Sequence, residues 1–314
     1  MPVDPQIQKI LDILAPLPPM HTLSVTEARV RMEKRPAEGL RIAPVAAVED
    51  RVIVRPGGSL PLRVYTPIGV GPFPIIAFFH GSGFVVCSLD THDAMCRNLC
   101  GGSGAVVVSV DYRLAPEHKF PAGLDDCLLA TRWIAEHAAE LNGDASRIVV
   151  AGDSAGGNLA AVVALRIRDE GGPKLAGQLL IYPVTDYHSP GTPSYAENAE
   201  GYGLSRAGMA WFWHHYLADP KDAVHPHASP LRAASLAGLP PALIYSAEYD
   251  PLRDEAELYA KRLMEADVPV RVQRWEGVNH GFFFWVGIVD TAGVAMDEAC
   301  AWLKTVFGKN SEGK

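Results

Sequence analysis

The residues best suited to chemistry lie in Gly152-Asp153-Ser154-Ala155-Gly156, a serine with a glycine two positions away on either side. The apolar run Arg147-Ile148-Val149-Val150-Ala151 precedes it, and a helical pattern beginning Gly157-Asn158-Leu159 follows. A serine on a tight turn between strand and helix presents its hydroxyl outward, and only glycines at those positions leave room for such a backbone. The helix behind it would aim its first amides and its dipole at negative charge developing on a bound oxygen. A tetrahedral intermediate of acyl transfer needs that arrangement, so the pattern points to a nucleophile and not to a purely structural glycine turn.

A serine hydroxyl attacks well only when a base takes its proton and a third group fixes the base in one tautomer. Asp250 stands just beyond the apolar run Ala242-Leu243-Ile244-Tyr245-Ser246-Ala247, and His280 stands in Gly277-Val278-Asn279-His280-Gly281-Phe282 beyond a second run, Val270 to Trp275. Both fall at the carboxyl end of a strand, in the order serine, acid, histidine. Asp254 and Glu255 compete with Asp250, but they read as first-turn helix residues whose charge complements the dipole. His118, His137, His214, His215, His225 and His227 read as loop, helix-surface or insertion residues. Small residues in His80-Gly81-Ser82-Gly83-Phe84 let bare amides approach a substrate oxygen. Ser82, Gly83 and Ala155 are therefore the expected oxyanion donors.

These groups need strands to carry them. Strand-like runs occur at Arg51–Val54, Leu60–Thr66, Ile75–Phe79, Ala105–Val110, Ile148–Ala151, Gln178–Tyr182, Ala242–Ala247 and Val270–Trp275. Helical patterns lie at Thr91–Cys100, Leu124–Leu141, Ala155–Asp169, Asp254–Ala266 and Asp290–Phe307. This alternation predicts an α/β fold with a mostly parallel eight-stranded sheet flanked by helices. The first two strands, joined by Pro56-Gly57-Gly58, are predicted antiparallel. Residues 1–50 read as two short helices about the joint Leu17-Pro18-Pro19. The segment 187–231, rich in aromatics, histidines and prolines, reads as an insertion between strands. Together they are expected to form a helical cap over a core made of residues 51–186 and 232–314.

The net charge of -8 and the lack of any basic run argue against a nucleic-acid partner. No stretch of about 18 apolar residues runs without a charge, so no membrane span is expected. Residues 1–17 lack the basic start and unbroken apolar core of a secretion signal. Five scattered cysteines, an odd number, suit reduced thiols in the cytoplasm better than a disulfide framework. His92, Cys96 and Cys100 recur at i, i+4 and i+8, but without a Cys-x-x-Cys pair they read as a core-facing seam, and no metal site is expected.

Taken together, His80-Gly81-Ser82-Gly83, the run Asp111 to Ala122 (Asp-Tyr-Arg-Leu-Ala-Pro-Glu-His-Lys-Phe-Pro-Ala), Gly152-Asp153-Ser154-Ala155-Gly156-Gly157, Asp250-Pro251-Leu252-Arg253-Asp254-Glu255 and His280-Gly281-Phe282 resemble the α/β-hydrolase fold in its hormone-sensitive-lipase-like branch, the bacterial family IV esterases. The resemblance spans roughly residues 70 to 285. It implies a serine carboxylesterase acting on small esters of short to medium acyl chain, with no cofactor, a helical cap and frequently a homodimer. In that family's pattern Ser154, Asp250 and His280 are the triad, and the amides of Ser82, Gly83 and Ala155 the oxyanion hole. Phe84, Leu204, Trp211, Phe212, Leu252 and Phe282 are the expected apolar wall of the substrate pocket, although residues 211–216 also suit cap-to-core packing. Ser82 replaces the second glycine of the family's usual triple. A side chain there is expected on the acyl-side rim, where it would disfavour bulky or tertiary-alcohol esters. A peptidase or amidase, a lactonase, and a non-catalytic small-ligand receptor are the competing readings. The intact set of three residues speaks against the last.

Overall fold

The computed structural model describes residues 2–35, 38–55 and 57–309. Eight strands form one sheet: β1 (Ala47–Arg55), β2 (Gly58–Thr66), β3 (Phe73–Phe79), β4 (Val106–Val110), β5 (Gly143–Asp153), β6 (Leu175–Ile181), β7 (Ala242–Tyr249) and β8 (Val270–Asn279). Their spatial order is β1-β2-β4-β3-β5-β6-β7-β8. β1 pairs antiparallel with β2 and β2 with β4, while every pair from β4 to β8 is parallel. Pro56 of the expected Pro-Gly-Gly turn lies outside the described residues, as does Met1.

The central strands are apolar on both faces because both are covered. All residues of β4 and β6 are buried, and β3 is buried except for Pro74. Such unbroken apolar runs are the signature of a parallel sheet sandwiched between helices. One face packs on α4 (Ala122–Glu136), α5 (Ala155–Glu170) and α8 (Arg253–Glu265). The other packs on α3 (Asp93–Ser103) and α9 (Asp290–Lys309). The helix expected over Leu124–Leu141 stops at Glu136. His137 leaves the helical region at φ -110, its ring stacks on Trp133, and a single 3-10 turn over Ala138–Leu141 ends at the left-handed Asn142.

The segments outside the alternation are helical too. α1 (Pro5–Leu14) starts at Asp4, whose carboxylate accepts from the Gln6 and Ile7 amides, and α2 (Val25–Glu33) starts at a Ser24–Glu27 capping box. Between β6 and β7 lie α6 (Pro193–Glu197) and α7 (Arg206–Tyr216). Among the described residues no helix is long and apolar enough to cross a membrane.

Candidate active site

Sheet register brings the expected chemistry together. In the parallel pair β7–β8, Tyr249 is opposite Asn279, so the next residue on each chain, Asp250 and His280, leaves the sheet side by side. In β3–β5, Phe79 is opposite Gly152, so the loop from His80 to Phe84 emerges beside Asp153 and Ser154. All are at the carboxyl ends of parallel strands, where the crevice of an open α/β sheet forms.

Ser154 has φ 55 and ψ -119, a backbone that an L-residue adopts only under strain. The flanking glycines permit it: a Cβ on Gly152 would strike the Gly156 and Phe79 carbonyls, and one on Gly156 the Phe79 carbonyl. Two hydrogen bonds hold the turn, Ser154 N–H to the Ile181 carbonyl (2.8 Å) and Val184 N–H to the Ser154 carbonyl (3.2 Å). Ser154 occupies the N-cap position of α5, yet its hydroxyl makes no cap bond. It faces His280 Nε2 at 2.9 Å. His280 Nδ1 lies 2.7 Å from Asp250 Oδ2, and Asp250 Oδ1 accepts from the Leu252 amide at 2.8 Å. The Asp250 carboxylate is fully buried. A carboxylate only accepts, so Nδ1 carries the ring proton and Nε2 is left as an acceptor toward the serine.

The loop over the crevice is tied at both ends. The Gly81 amide donates to Asp153 Oδ1 (2.7 Å), and the Phe84 amide donates to Ser82 Oγ (2.8 Å). The amides of Ser82, Gly83 and Ala155 have no acceptor among the described residues and are thus available to a substrate oxygen. The Ser82 side chain departs from expectation. It is turned inward, 2.6 Å from the Tyr112 hydroxyl, and does not stand on the acyl-side rim. The reason is local: turned inward, the buried hydroxyl is satisfied by both the Tyr112 hydroxyl and the Phe84 amide.

Electrostatics under the site are set by burial. Burial pushes the Asp153 carboxyl up, but the charge and hydrogen bond of His92 (3.4 Å) and the Gly81 amide hold it below its ordinary value. Burial drives His80 down to about 3, with His92 adding to the effect. Neutral His80 stacks on Tyr112 at 4.5 Å.

Of the expected apolar wall, Phe212 lies against Gly83, where a Cβ would run into its ring. Trp211 packs edge-on against Phe212, and Leu204 and Trp211 are half-buried. Phe84 stacks on Tyr216 at 3.8 Å, and Phe282 sits between Tyr182 and Trp275. Phe84, Leu252 and Phe282 are at most 3% exposed, in packing rather than on an open surface. Asp254 binds the Ser194 amide and Arg253, while Glu255 binds the Thr185 amide. Neither approaches His280 within bonding distance. Sequence reasoning did not single out Tyr182, whose ring lies 4.7 Å from His280 at φ 36, and it read Tyr112 only as part of a packed loop. Cys96 and Cys100 are buried, and His92 bonds Thr91 and Asp153.

A family profile described as alpha/beta hydrolase fold matches residues 76–284. The esterase LipI of Mycobacterium tuberculosis is 42% identical, over 97% of this chain and 95% of its own. The ethyl acetate hydrolase of Pseudomonas putida is 39% identical, over 87% and 88%. The crystal structure of an alpha/beta hydrolase enzyme from the metagenome of Lake Arreo superposes with a TM-score of 0.93 at 40% identity, covering 98% of this chain and 99% of that one. With its sheet, its profile match and these relatives in agreement, the chain belongs to the alpha/beta hydrolase family.

Proposed function

We propose that the chain hydrolyses carboxylic esters of short to medium acyl length through an acyl-enzyme on Ser154. The enzyme is a carboxylesterase, and its motifs put it in the hormone-sensitive-lipase-like branch. The observation that carries the mechanism is the unbroken chain from Ser154 Oγ to His280 Nε2 (2.9 Å) and from His280 Nδ1 to Asp250 Oδ2 (2.7 Å). His280 takes the serine proton as Oγ attacks the ester carbonyl, and buried Asp250 stabilises the imidazolium and its orientation. The oxyanion is held by the amides of Ser82, Gly83 and Ala155 at the start of α5, donors already in place before the charge forms. The alcohol leaves with the proton from His280. Water then gives its proton to His280 as it attacks the acyl group, and Ser154 recovers the proton when the acid departs.

Residues 1–50 and 187–231 act as the cap, and Phe212, Trp211 and Leu204 bound the acyl side. The name of the Pseudomonas relative, an ethyl acetate hydrolase, supports a short-acyl preference. A cytoplasmic setting is supported by five buried cysteines, each with a free thiol.

The test is hydrolysis of p-nitrophenyl esters from acetate to palmitate by wild type and Ser154→Ala. Turnover that peaks at short to medium chains and vanishes in the variant is expected. Activity that survives in Ser154→Ala, or a wild type inert toward every ester, would overturn the reading.

A further inference from the structure

Four buried groups beneath the oxyanion loop form a directed hydrogen-bond chain. The Phe84 amide donates to Ser82 Oγ (2.8 Å), Ser82 Oγ and Tyr112 Oη are 2.6 Å apart, and Tyr112 Oη is 2.7 Å from the His80 carbonyl. Tyr112 has one hydroxyl proton, and the His80 carbonyl can only accept, so that proton goes to His80. Ser82 must then donate to Tyr112, and its own lone pair takes the Phe84 proton. Every direction is fixed. The chain begins and ends on the backbone of the same loop, so it staples residue 80 to residue 84 through two side chains.

We propose that Ser82 and Tyr112 are positioning residues for the oxyanion hole: their paired hydroxyls hold the Ser82 and Gly83 amides at the angle the tetrahedral intermediate requires. This rests on the esterase reading above and deepens it. Two further observations support the assignment. The loop's backbone ties lie to either side of the Gly83 amide: Asp153 accepts from the Gly81 amide (2.7 Å), and the Ser82 carbonyl accepts from the Val85 and Val86 amides (3.1 and 3.0 Å), while Gly83 sits at φ 53, a left-handed conformation that the hydroxyl pair braces from beneath. The Tyr112 ring is also immobilised, 3% exposed and stacked on His80 at 4.5 Å, so its hydroxyl is a fixed anchor. Burial pushes its ionisation well above the ordinary tyrosine range, which keeps the hydroxyl a donor at any working pH. In a dry site such a chain is strengthened by mutual polarisation, and donors that need no reorganisation stabilise the transition state more than the bound ester. The residue that departs from the family's glycine triple thus supplies a tether that glycine lacks.

The test compares Ser82→Ala, Tyr112→Phe and the double variant with wild type on p-nitrophenyl butyrate, with Ser154→Ala as the blank. Each single variant is expected to lower kcat about tenfold with KM within twofold of wild type. That is less than the 10²–10³ typical of losing an oxyanion donor outright, because the amides remain. The double variant is expected to lose no more than either single one, since breaking either link opens the same chain. Affinity for an alkyl trifluoromethyl ketone, which forms a tetrahedral adduct with the serine, should fall by the same factor as kcat. Affinity for the matching methyl ketone should hold. Thermal unfolding midpoints separate a misfolded variant from a misaligned loop, and Ser82→Thr, which keeps the hydroxyl, should restore most of the rate.

Single variants within twofold of wild-type kcat would overturn the proposal. So would losses that multiply in the double variant, or a rise in KM at constant kcat, which would make the pair part of the substrate pocket. A wild type inert toward esters would instead overturn the esterase reading. The ketone comparison would still decide the role of the loop, because it reads adduct formation and not turnover.

Discussion

Asp250 shows how much one buried side chain decides. It fixes the His280 tautomer through Nδ1 at 2.7 Å and is itself held by the Leu252 amide. Asp250→Asn keeps the shape but turns an acceptor into an amide that can donate, favouring the wrong tautomer. A drop in kcat of about 10⁴ is expected, by analogy with serine proteases; steady-state kinetics on p-nitrophenyl butyrate would check it, and a loss under tenfold would displace Asp250 from the proposed role. His80 carries a pH signature. Its folded pKa of about 3 lies below the 6.5 of an unfolded histidine. Between those values the unfolded chain binds one more proton, so stability rises with pH there. This contribution is complete above about pH 6.5 and is lost as pH falls toward 3. Urea titrations at pH 7 and 5 should show His80→Gln losing less stability on acidification than wild type, by up to about 1.4 kcal/mol per pH unit. His188, His215 and His227 are also lowered by burial and act in both proteins alike, so the difference isolates His80. Equal slopes would refute it. Ser154, Asp250 and His280 were legible because each sits at a strand end in a local pattern. Tyr112 was not, because which residue of 111–122 lies under residues 80–84 depends on how β4 pairs with β3, a contact between distant parts of the chain.

At the scale of elements, the parallel core was readable because β3 to β7 each contain a short, mostly apolar run, Ile148–Ala151 within the longer β5 for instance, and pattern separates these runs from the amphipathic helices between. The edges were less so. β1 begins at Ala47, four residues before the apolar signal, because its first half carries the exposed, polar pair Glu49-Asp50, which no apolar pattern marks. α4 ends early as His137, its ring stacked on Trp133, leaves the helical region at φ -110 and a 3-10 turn carries the chain to the left-handed Asn142. The anchor of the 111–122 segment was hidden for a similar reason. Asp126 on α4 is 1% exposed and takes the Arg113 amide at 3.0 Å and its guanidinium at 2.7 and 2.9 Å. Removing one partner of such a pair strands a buried charge, which typically costs about 3–5 kcal/mol. Arg113→Ala is expected near the lower end, since Arg55 lies 3.5 Å from the same carboxylate. Chemical denaturation would measure it. A change below about 0.5 kcal/mol would mean that Arg55 alone neutralises Asp126.

At the scale of the whole molecule, α1 joins the catalytic core through Ile7, Ile10 and Leu11 in one apolar cluster and through the Asp4 amide on the Gly277 carbonyl, whereas α2 is held mainly by polar contacts. Arg29 on α2 supplies a cluster of them, donating to the Val85 carbonyl (2.9 Å), the Ala115 carbonyl (3.0 Å) and Glu117 (2.7 Å). Val85 directly follows the oxyanion loop, and Ala115 and Glu117 belong to the segment carrying Tyr112, so one guanidinium ties the proposed cap to both strips of chain that shape the site. The Glu117 pair is half-exposed and contributes little by itself. The two carbonyl bonds matter more, because they are directional and partly shielded. Arg29→Ala should therefore loosen the cap without unfolding the core, whose two apolar clusters draw mainly on the sheet and the helices flanking it. The expected result is faster protease cleavage within residues 15–46 at a global denaturation midpoint close to wild type. A cap that opens more readily should also admit longer acyl chains, raising the decanoate-to-butyrate ratio of kcat/KM severalfold. If cleavage and global unfolding accelerate together, the N-terminal helices are part of the cooperative core. If the acyl ratio stays fixed while cleavage rises, they cover the molecule without gating its substrate.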